Sequence, residues 1–167
     1  MSENKKEIIK EIVVYGLLLL VVLGIKFFIV SPIRVNGNSM YKTLYDNDIM
    51  ILNEITYRFN DIKRFDIVVI KEDDEYLIKR VIGLPGESIK CEDGKIYIDG
   101  KMLKDEFAYG NTTNFDNIIL SDDEYFVLGD NRENSIDSRN YGAFDRNQIK
   151  GKANFTIYPF SRVGIKK

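Results

Sequence analysis

The sequence predicts a mainly β domain, a β-sheet or barrel-like fold, behind one N-terminal apolar helix. Three observations carry the expectation. After about residue 36 the chain breaks into short β-branched and aromatic runs with turn residues between them: DIMILNEITYRF, DIVVIKE, EYLIKRVIGL, SIKCEDGKIYIDGKML, DEYFVLGD and KANFTIYPF. Asp93-Gly94 and Asp99-Gly100 bracket the run Lys95 to Ile98, and such pairs supply the positive φ angles of tight hairpins. Ahead of all this lies IVVYGLLLLVVLGIKFFIV, residues 12–30, with Lys26 as its one charge.

The elements follow in chain order. Residues 1–11 are polar and are expected on the cytoplasmic side. Residues 12–30 reach the roughly 20 apolar residues that a membrane-crossing helix needs, provided Lys26 lets its amine snorkel to the headgroups. A cleavable secretory signal is the competing reading, but small residues do not follow the apolar run: the first alanine is Ala108. A retained anchor is therefore expected. Lys5, Lys6 and Lys10 precede it, and Lys26, Arg34 and Lys42 follow, so charge orients it little. An inside N-terminus is expected because a long following domain translocates regardless of flanking charge. Residues 31–167 are then expected to form an extracytoplasmic β-rich domain, large enough to bury its own core. Residues 104–117 (KDEFAYGNTTNFDN) read as an irregular connection.

Composition narrows the chemistry. The net charge of -2 and the absence of a basic patch argue against a nucleic-acid partner. There is no histidine, which removes Ser-His-Asp and Cys-His mechanisms and histidine metal sites. The single cysteine, Cys91, has no disulfide partner within the chain and reads as structural. A proton acceptor working near neutral pH must then be a carboxylate, a lysine or a tyrosine.

Three stretches put polar residues where a plain core would not. In EYLIKRVIGLPGE, residues 75–87, alternation places Leu77, Lys79 and Val81 on one face and Ile78, Arg80 and Ile82 on the other. Each mostly apolar face thus carries a cation. Lys79 belongs either at a sheet rim with its amine in solvent or in a dry site. Burial lowers a lysine's pKa, and a fall from about 10.4 to about 8 corresponds to roughly 3 kcal/mol against the cation. In NGNSMYKTL, residues 36–44, Gly37 and Asn38 permit an unusual backbone just before Ser39, which by itself reads as a turn serine. In LGDNRENSIDSRNYG, residues 128–142, a dense polar loop follows a buried strand. Asp137 and Arg139 could pair there, and Ser135 could hydrogen-bond an amine.

Taken together, SMYKTL, RFDIVVI, IKRVIGLPGE and GDNRENSIDSR resemble, in this order, the successive motifs of type I signal peptidases, the leader peptidase family. The resemblance spans nearly the whole chain after residue 31. The small size and single anchor look more like the Gram-positive enzymes than the larger two-span ones. It implies a membrane-bound serine endopeptidase that removes signal peptides from secretory preproteins, cutting after small residues at the first and third positions before the bond. Ser39 would be the nucleophile and Lys79 the general base, with the Ser39 backbone N–H as an oxyanion donor. Ser135 would orient the lysine amine, Asp137 and Arg139 would form a structural pair, and Gly129 and Asp130 would open the last motif. Arg80 would face away from the dyad. Gly37, Asn38 and Met40 would border the substrate, which would lie as an extended strand beside the site. Membrane lipid is an implied partner; no cofactor and no metal is implied.

Three positions depart from the family pattern. Lys42 stands where a proline is usual. Gly37 replaces the serine that some members use as a side-chain oxyanion donor. Phe65 precedes Asp66 where glycine is usual. Two alternatives remain at this point: a self-cleaving Ser-Lys protease on the same core, disfavoured by the apolar anchor, and a non-catalytic or specialised relative serving assembly, as in pilus systems, disfavoured by the presence of both serine and lysine.

Overall fold

The computed structural model describes residues 3–28 and 30–166. Helix α1 (Glu3–Phe28) leads into strand β1 (Val30–Arg34). Its described apolar side chains are exposed, Ile12, Leu17 and Leu20 by about two thirds each. Among the described residues no helix is long and apolar enough to cross a membrane. The predicted span at 12–30 runs onto positions outside the described residues: residue 29, and the side chains of 23, 25–28 and 30, Lys26 among them.

Downstream of the helix the chain is mainly β, as expected. The elements are β2 (Ile49–Asn53), α2 (Thr56–Phe59), β3 (Ile67–Glu72), β4 (Glu75–Gly83), β5 (Ser88–Glu92), β6 (Lys95–Ile98), β7 (Lys101–Met102), β8 (Phe115–Ile119), β9 (Glu124–Leu128), α3 (Ser138–Tyr141), β10 (Phe144–Asp145), β11 (Ile149–Tyr158) and β12 (Gly164–Ile165). The main sheet runs β1-β2-β11-β3-β4-β9-β10, with β12 added on β11; a second sheet runs β7-β6-β5-β8. Both predicted hairpins form. Asp93-Gly94 turns β5 into β6 and Asp99-Gly100 turns β6 into β7, all four residues at positive φ.

Two expectations change. The run DIMILNEITYRF is not one strand: β2 stops at Asn53, whose side-chain Oδ1 accepts the backbone N–H groups of Ile55 (3.1 Å) and Thr56 (2.9 Å). That side chain offers the backbone an alternative to the ladder and turns it into α2. The polar loop after β9 likewise contains a helical turn, α3, which begins at an Asp137 cap with Asn140 completing a capping box.

The core explains why β3 and β4 read as continuous apolar runs. Both strands lie inside the sheet, between β11 and β9, so both of their faces are covered. Ile67, Val69 and Ile78 pack with Val35, Met40 and Leu44 beneath the segment that carries Ser39. Val68, Ile70 and Val81 pack on the other side with Val127, Phe144 and Ile149. Ile82, Phe126 and Leu128 join Ile89, Ile96 and Ile98, fastening the second sheet to the first. Each such side chain contributes on the order of 1.5–3 kcal/mol when fully buried. The cations of β4 are held in this dry frame.

Candidate active site

β4 pairs with β3 so that Lys79 sits opposite Val68 and Arg80 opposite Ile67. Neither side chain can reach bulk water along that ladder: Lys79 is 4% exposed and Arg80 0%. The Lys79 amine meets Ser39, 40 positions earlier, with Nζ 2.8 Å from Oγ. Burial is the main cause that brings its pKa down from 10.5 to about 8; the Asp137 carboxylate pulls it up, and the Arg139 guanidinium pushes it down.

Ser39 stands on a loop that is anchored from both sides. Gly37, at φ 81°, donates its N–H to Asp46 Oδ1 at 2.8 Å. The positive φ lets the chain leave β1 and turn back toward β4. Beyond Ser39, Met40 and Leu44 are buried in the core. From the far side, Asn131 donates its backbone N–H to the Ser39 carbonyl (2.9 Å) and its side-chain amide to the Asn38 carbonyl (3.0 Å). The Ser39 N–H donates to no other group among the described residues, so it is available to an incoming oxygen. The following Tyr41–Lys42 peptide bond is cis, and the Lys42 amine rests 4.5 Å from the centre of the Tyr109 ring.

The last motif forms the support. Asp137, fully buried, accepts the Gly129 N–H at 3.0 Å and takes the Arg139 guanidinium on both oxygens, at 2.8 and 2.9 Å. Burial raises its carboxyl, but the Arg139 and Gly129 bonds outweigh this and hold it below the usual aspartate value. Ser138 adds its Oγ as acceptor for the Val127 N–H at 2.9 Å, tying the loop to β9. Gly129 has no room for a side chain: a Cβ there would lie 2.2 Å from Ser135 Oγ and 2.5 Å from the Ser39 carbonyl oxygen. Ser135 is therefore beside the Ser39 backbone. Its hydroxyl lies near enough to Asp137 to favour the carboxylate, yet it is buried without a hydrogen-bond partner among the described residues. No bond joins it to Lys79.

On the opposite face Arg80 makes a second cluster. Its Nε and Nη2 each lie 2.7 Å from the two Asp130 oxygens, its Nη1 donates to the Phe65 carbonyl at 2.8 Å, and the Phe107 ring covers it at 3.7 Å. Thr43, four residues after Ser39, donates to the same Asp130 at 2.5 Å. Arg80 thus connects the loop that carries Ser39, through Thr43, to the last motif, through Asp130. Phe65 adopts φ 69°, a left-handed conformation that suits the glycine usual in the family and strains a phenylalanine. Its ring packs at 5.3 Å on Phe107.

The sequence reading did not anticipate Asn131 or Thr43, although both lie inside quoted motifs. Nor did it find Arg34, Tyr76 and Leu77. These three line a cavity of about 70 Å³ that opens beside Ser39 and Lys79, together with Val35, Met40 and Ile78. Of the predicted substrate-bordering residues, Met40 lines that cavity, whereas Gly37 and Asn38 do not. Cys91 is buried, its thiol raised by that burial and directed toward the Thr112 carbonyl, away from this site. Among the described residues no acidic or cysteine cluster could hold a metal ion.

Comparison with known proteins agrees with this geometry. The model of the family described as signal peptidase, peptidase S26, matches residues 6–158. The chain is 35% identical to Signal peptidase I S of Bacillus subtilis strain 168, over 97% of each protein. It is 36% identical to Probable signal peptidase I-2 of a Synechocystis strain, over 86% of this chain and 70% of that one. The crystal structure of a signal peptidase I from Enterococcus faecalis V583 superposes with a TM-score of 0.51 at 30% identity, covering 56% of this chain and 97% of the other. The chain belongs to the signal peptidase family, peptidase S26, whose members are serine endopeptidases.

Proposed function

We propose that this protein removes signal peptides from secretory preproteins with Ser39 as nucleophile and Lys79 as general base. The observation that carries the reading is the 2.8 Å approach of Lys79 Nζ to Ser39 Oγ inside a dry frame. A charged ammonium would donate to Oγ, but a neutral amine accepts the hydroxyl proton, and a pKa of about 8 leaves a usable neutral fraction near neutrality. Ser39 Oγ then attacks the scissile carbonyl carbon while its proton passes to Nζ, and the Ser39 N–H faces the oxyanion. As the tetrahedral species collapses, the C–N bond breaks and the leaving amine takes the proton from Nζ. The neutral lysine next removes a proton from the water that hydrolyses the acyl-enzyme. The Gly37 N–H is engaged by Asp46, so it is not the second oxyanion donor.

The roles of the supporting residues follow. Asp137, Arg139 and Gly129 fix the loop that backs the nucleophile, Asp130 fixes Arg80, and Ser135 holds a hydroxyl ready beside the dyad. The 70 Å³ cavity lined by Val35, Met40 and Ile78 admits a small side chain and excludes a bulky one, which supports cleavage after small residues. Residues 12–30 anchor the enzyme in the plasma membrane with residues 1–11 in the cytoplasm and 31–167 outside. The exposed apolar side chains of α1 support the anchor, since soluble domains seldom present so many contiguously. Release of the full chain from membranes by alkaline carbonate would remove it.

Cleavage of a secretory precursor in detergent tests the dyad. Ser39→Ala and Lys79→Ala are each expected to lower kcat by at least about 10³-fold. Wild-type turnover in either variant would overturn the assignment.

A further inference from the structure

The small cavity at the dyad is one end of a longer passage. A groove of about 860 Å³ opens between the outer strand β1 and the start of β4, with buried Leu52 and Val69 in its floor. It shares Arg34, Asn36, Tyr76 and Leu77 with the cavity beside Ser39 and Lys79. With the small cavity assigned to the side chains before the cut, a peptide extended in that direction would continue along the groove. Four residue steps of β4 lead from Lys79 to Glu75, about 13 Å at ~3.3 Å per residue, and an extended peptide advances at the same rate. The fifth and sixth residues before the cut thus pass the tip of the β3–β4 hairpin.

That tip concentrates negative charge, with Glu72 accepting the Gln148 side-chain amide at 2.6 Å. Glu72, Asp73, Asp74 and Glu75 are consecutive, and Glu72 lies directly opposite Glu75 in the ladder, an arrangement that destabilises a hairpin. Asp74 and Glu75 line the groove from one wall and Glu54 from the other, and none of the three is in an ion pair among the described residues. Among the described residues Glu54 accepts the Ser31 hydroxyl alone, at 3.3 Å. Lys150, in the same groove, directs its amine to the Asn147 carbonyl at 3.0 Å. Near the cut the sign reverses, because Arg34 stands on the wall shared by both cavities.

We propose that this groove reads charge along the signal peptide, favouring a basic residue five or six positions before the cut and disfavouring an acidic one there. The inference rests on the proposed signal peptidase reading and adds to it a determinant distinct from the small-residue cavity. Like-charge rejection supplies most of the selectivity, since the exposed carboxylates sit in solvent and attract a cation only modestly. Asp74 and Glu75 act on binding and not on the chemical step, so their effect belongs in KM.

The full chain in detergent is assayed on three peptides that span the cut and differ only in carrying Lys, Ser or Glu at the fifth and sixth positions before it. The Lys peptide is expected to exceed the Glu peptide in kcat/KM by about tenfold at low salt, through KM, and the gap is expected to narrow as salt screens it. The double variant Asp74→Asn/Glu75→Gln should bring the ratio near one without changing kcat on the Ser peptide. Asp74→Lys/Glu75→Lys should invert it. Equal cleavage of the Lys and Glu peptides by the wild type, or a preference untouched by both double variants, overturns the proposal while leaving the peptidase reading intact. A Ser peptide that is not cleaved at all, or is cleaved equally by Ser39→Ala, overturns the peptidase reading itself.

Discussion

Lys79 and Arg80 are consecutive residues of one strand, both removed from water, and the fold treats them oppositely. Arg80 is met by a carboxylate on both of its prongs, by the Phe65 carbonyl and by an aromatic face. Lys79 is met by the Ser39 hydroxyl, with Asp137, Arg139 and Asp130 acting only from a distance through their fields. Burial is common to both, so burial does not decide whether the charge survives; the nearest carboxylate does. The Arg80–Asp130 pair is a joint between two motifs. Lys79, lacking such a partner, is suited to the base role proposed for it.

The largest test of this contrast is thermodynamic. Arg80→Met leaves Asp130 buried and uncompensated, and removing one member of such a pair typically costs about 3–5 kcal/mol. Lys79→Met deletes an amine that has no carboxylate partner and fills the same space with a thioether, so it is expected to be neutral or stabilising although inactive. Urea denaturation of both variants measures the difference. Equal losses would break the comparison, because they would mean that Lys79 too is held by a charge partner.

A second test separates the two cations by pH. The Lys79 pKa is about 8 folded against an ordinary value of 10.5. Below about pH 8 the residue is protonated in both states, and the folded protein carries the whole penalty. Between about 8 and 10.5 the unfolded chain binds more protons, so stability contributed by this group rises with pH, by roughly 3 kcal/mol in total. Subtracting the Lys79→Met curve from that of the wild type isolates the effect from other titrations. Activity should rise over the same lower limb, with a midpoint near pH 8, as the neutral amine accumulates. A flat difference curve, or an activity limb centred far below pH 7, would count against a desolvated lysine base.

What the sequence made legible was local or motif-borne. Strand alternation put Lys79 and Arg80 on opposite apolar faces, and the Asp-Gly pairs located two hairpins to the residue. The resemblance named Ser39 as the partner of Lys79, and the two side chains do meet. What it left out depends on contacts between distant positions. Thr43, Arg80 and Asp130 converge from three elements, and no spacing rule links 43, 80 and 130 before the sheet closes. Asn53 ended a strand with its own side chain, against the β-rich composition of the run that follows. Asn131 looked like one more polar loop residue, because its value lies in which carbonyls it faces. Phe65 was visible as a departure from the family, but its positive φ was not.

The smallest expected effect concerns two hydroxyls with the same defect in different places. Ser135 Oγ and Thr156 Oγ1 are both buried without a hydrogen-bond partner among the described residues. A buried, unsatisfied hydroxyl costs about 1–3 kcal/mol, so a threonine in the middle of β11 has no evident reason to be preferred to valine. Thr156→Val keeps the shape, and is expected to stabilise the fold by about 1 kcal/mol with kcat unchanged, as thermal melting and precursor cleavage would record. Ser135 differs in its surroundings: Gly129 is bare so that its hydroxyl can sit beside the Ser39 backbone and within reach of Asp137's field. Ser135→Ala should therefore gain a similar few tenths to 1 kcal/mol of stability but lose about tenfold in kcat and displace the pH midpoint if, as the family resemblance implies, the hydroxyl comes to orient the amine during the proton transfers. If both variants were equally active, Ser135 would be as idle as Thr156, and the apolar frame alone would suffice to poise Lys79.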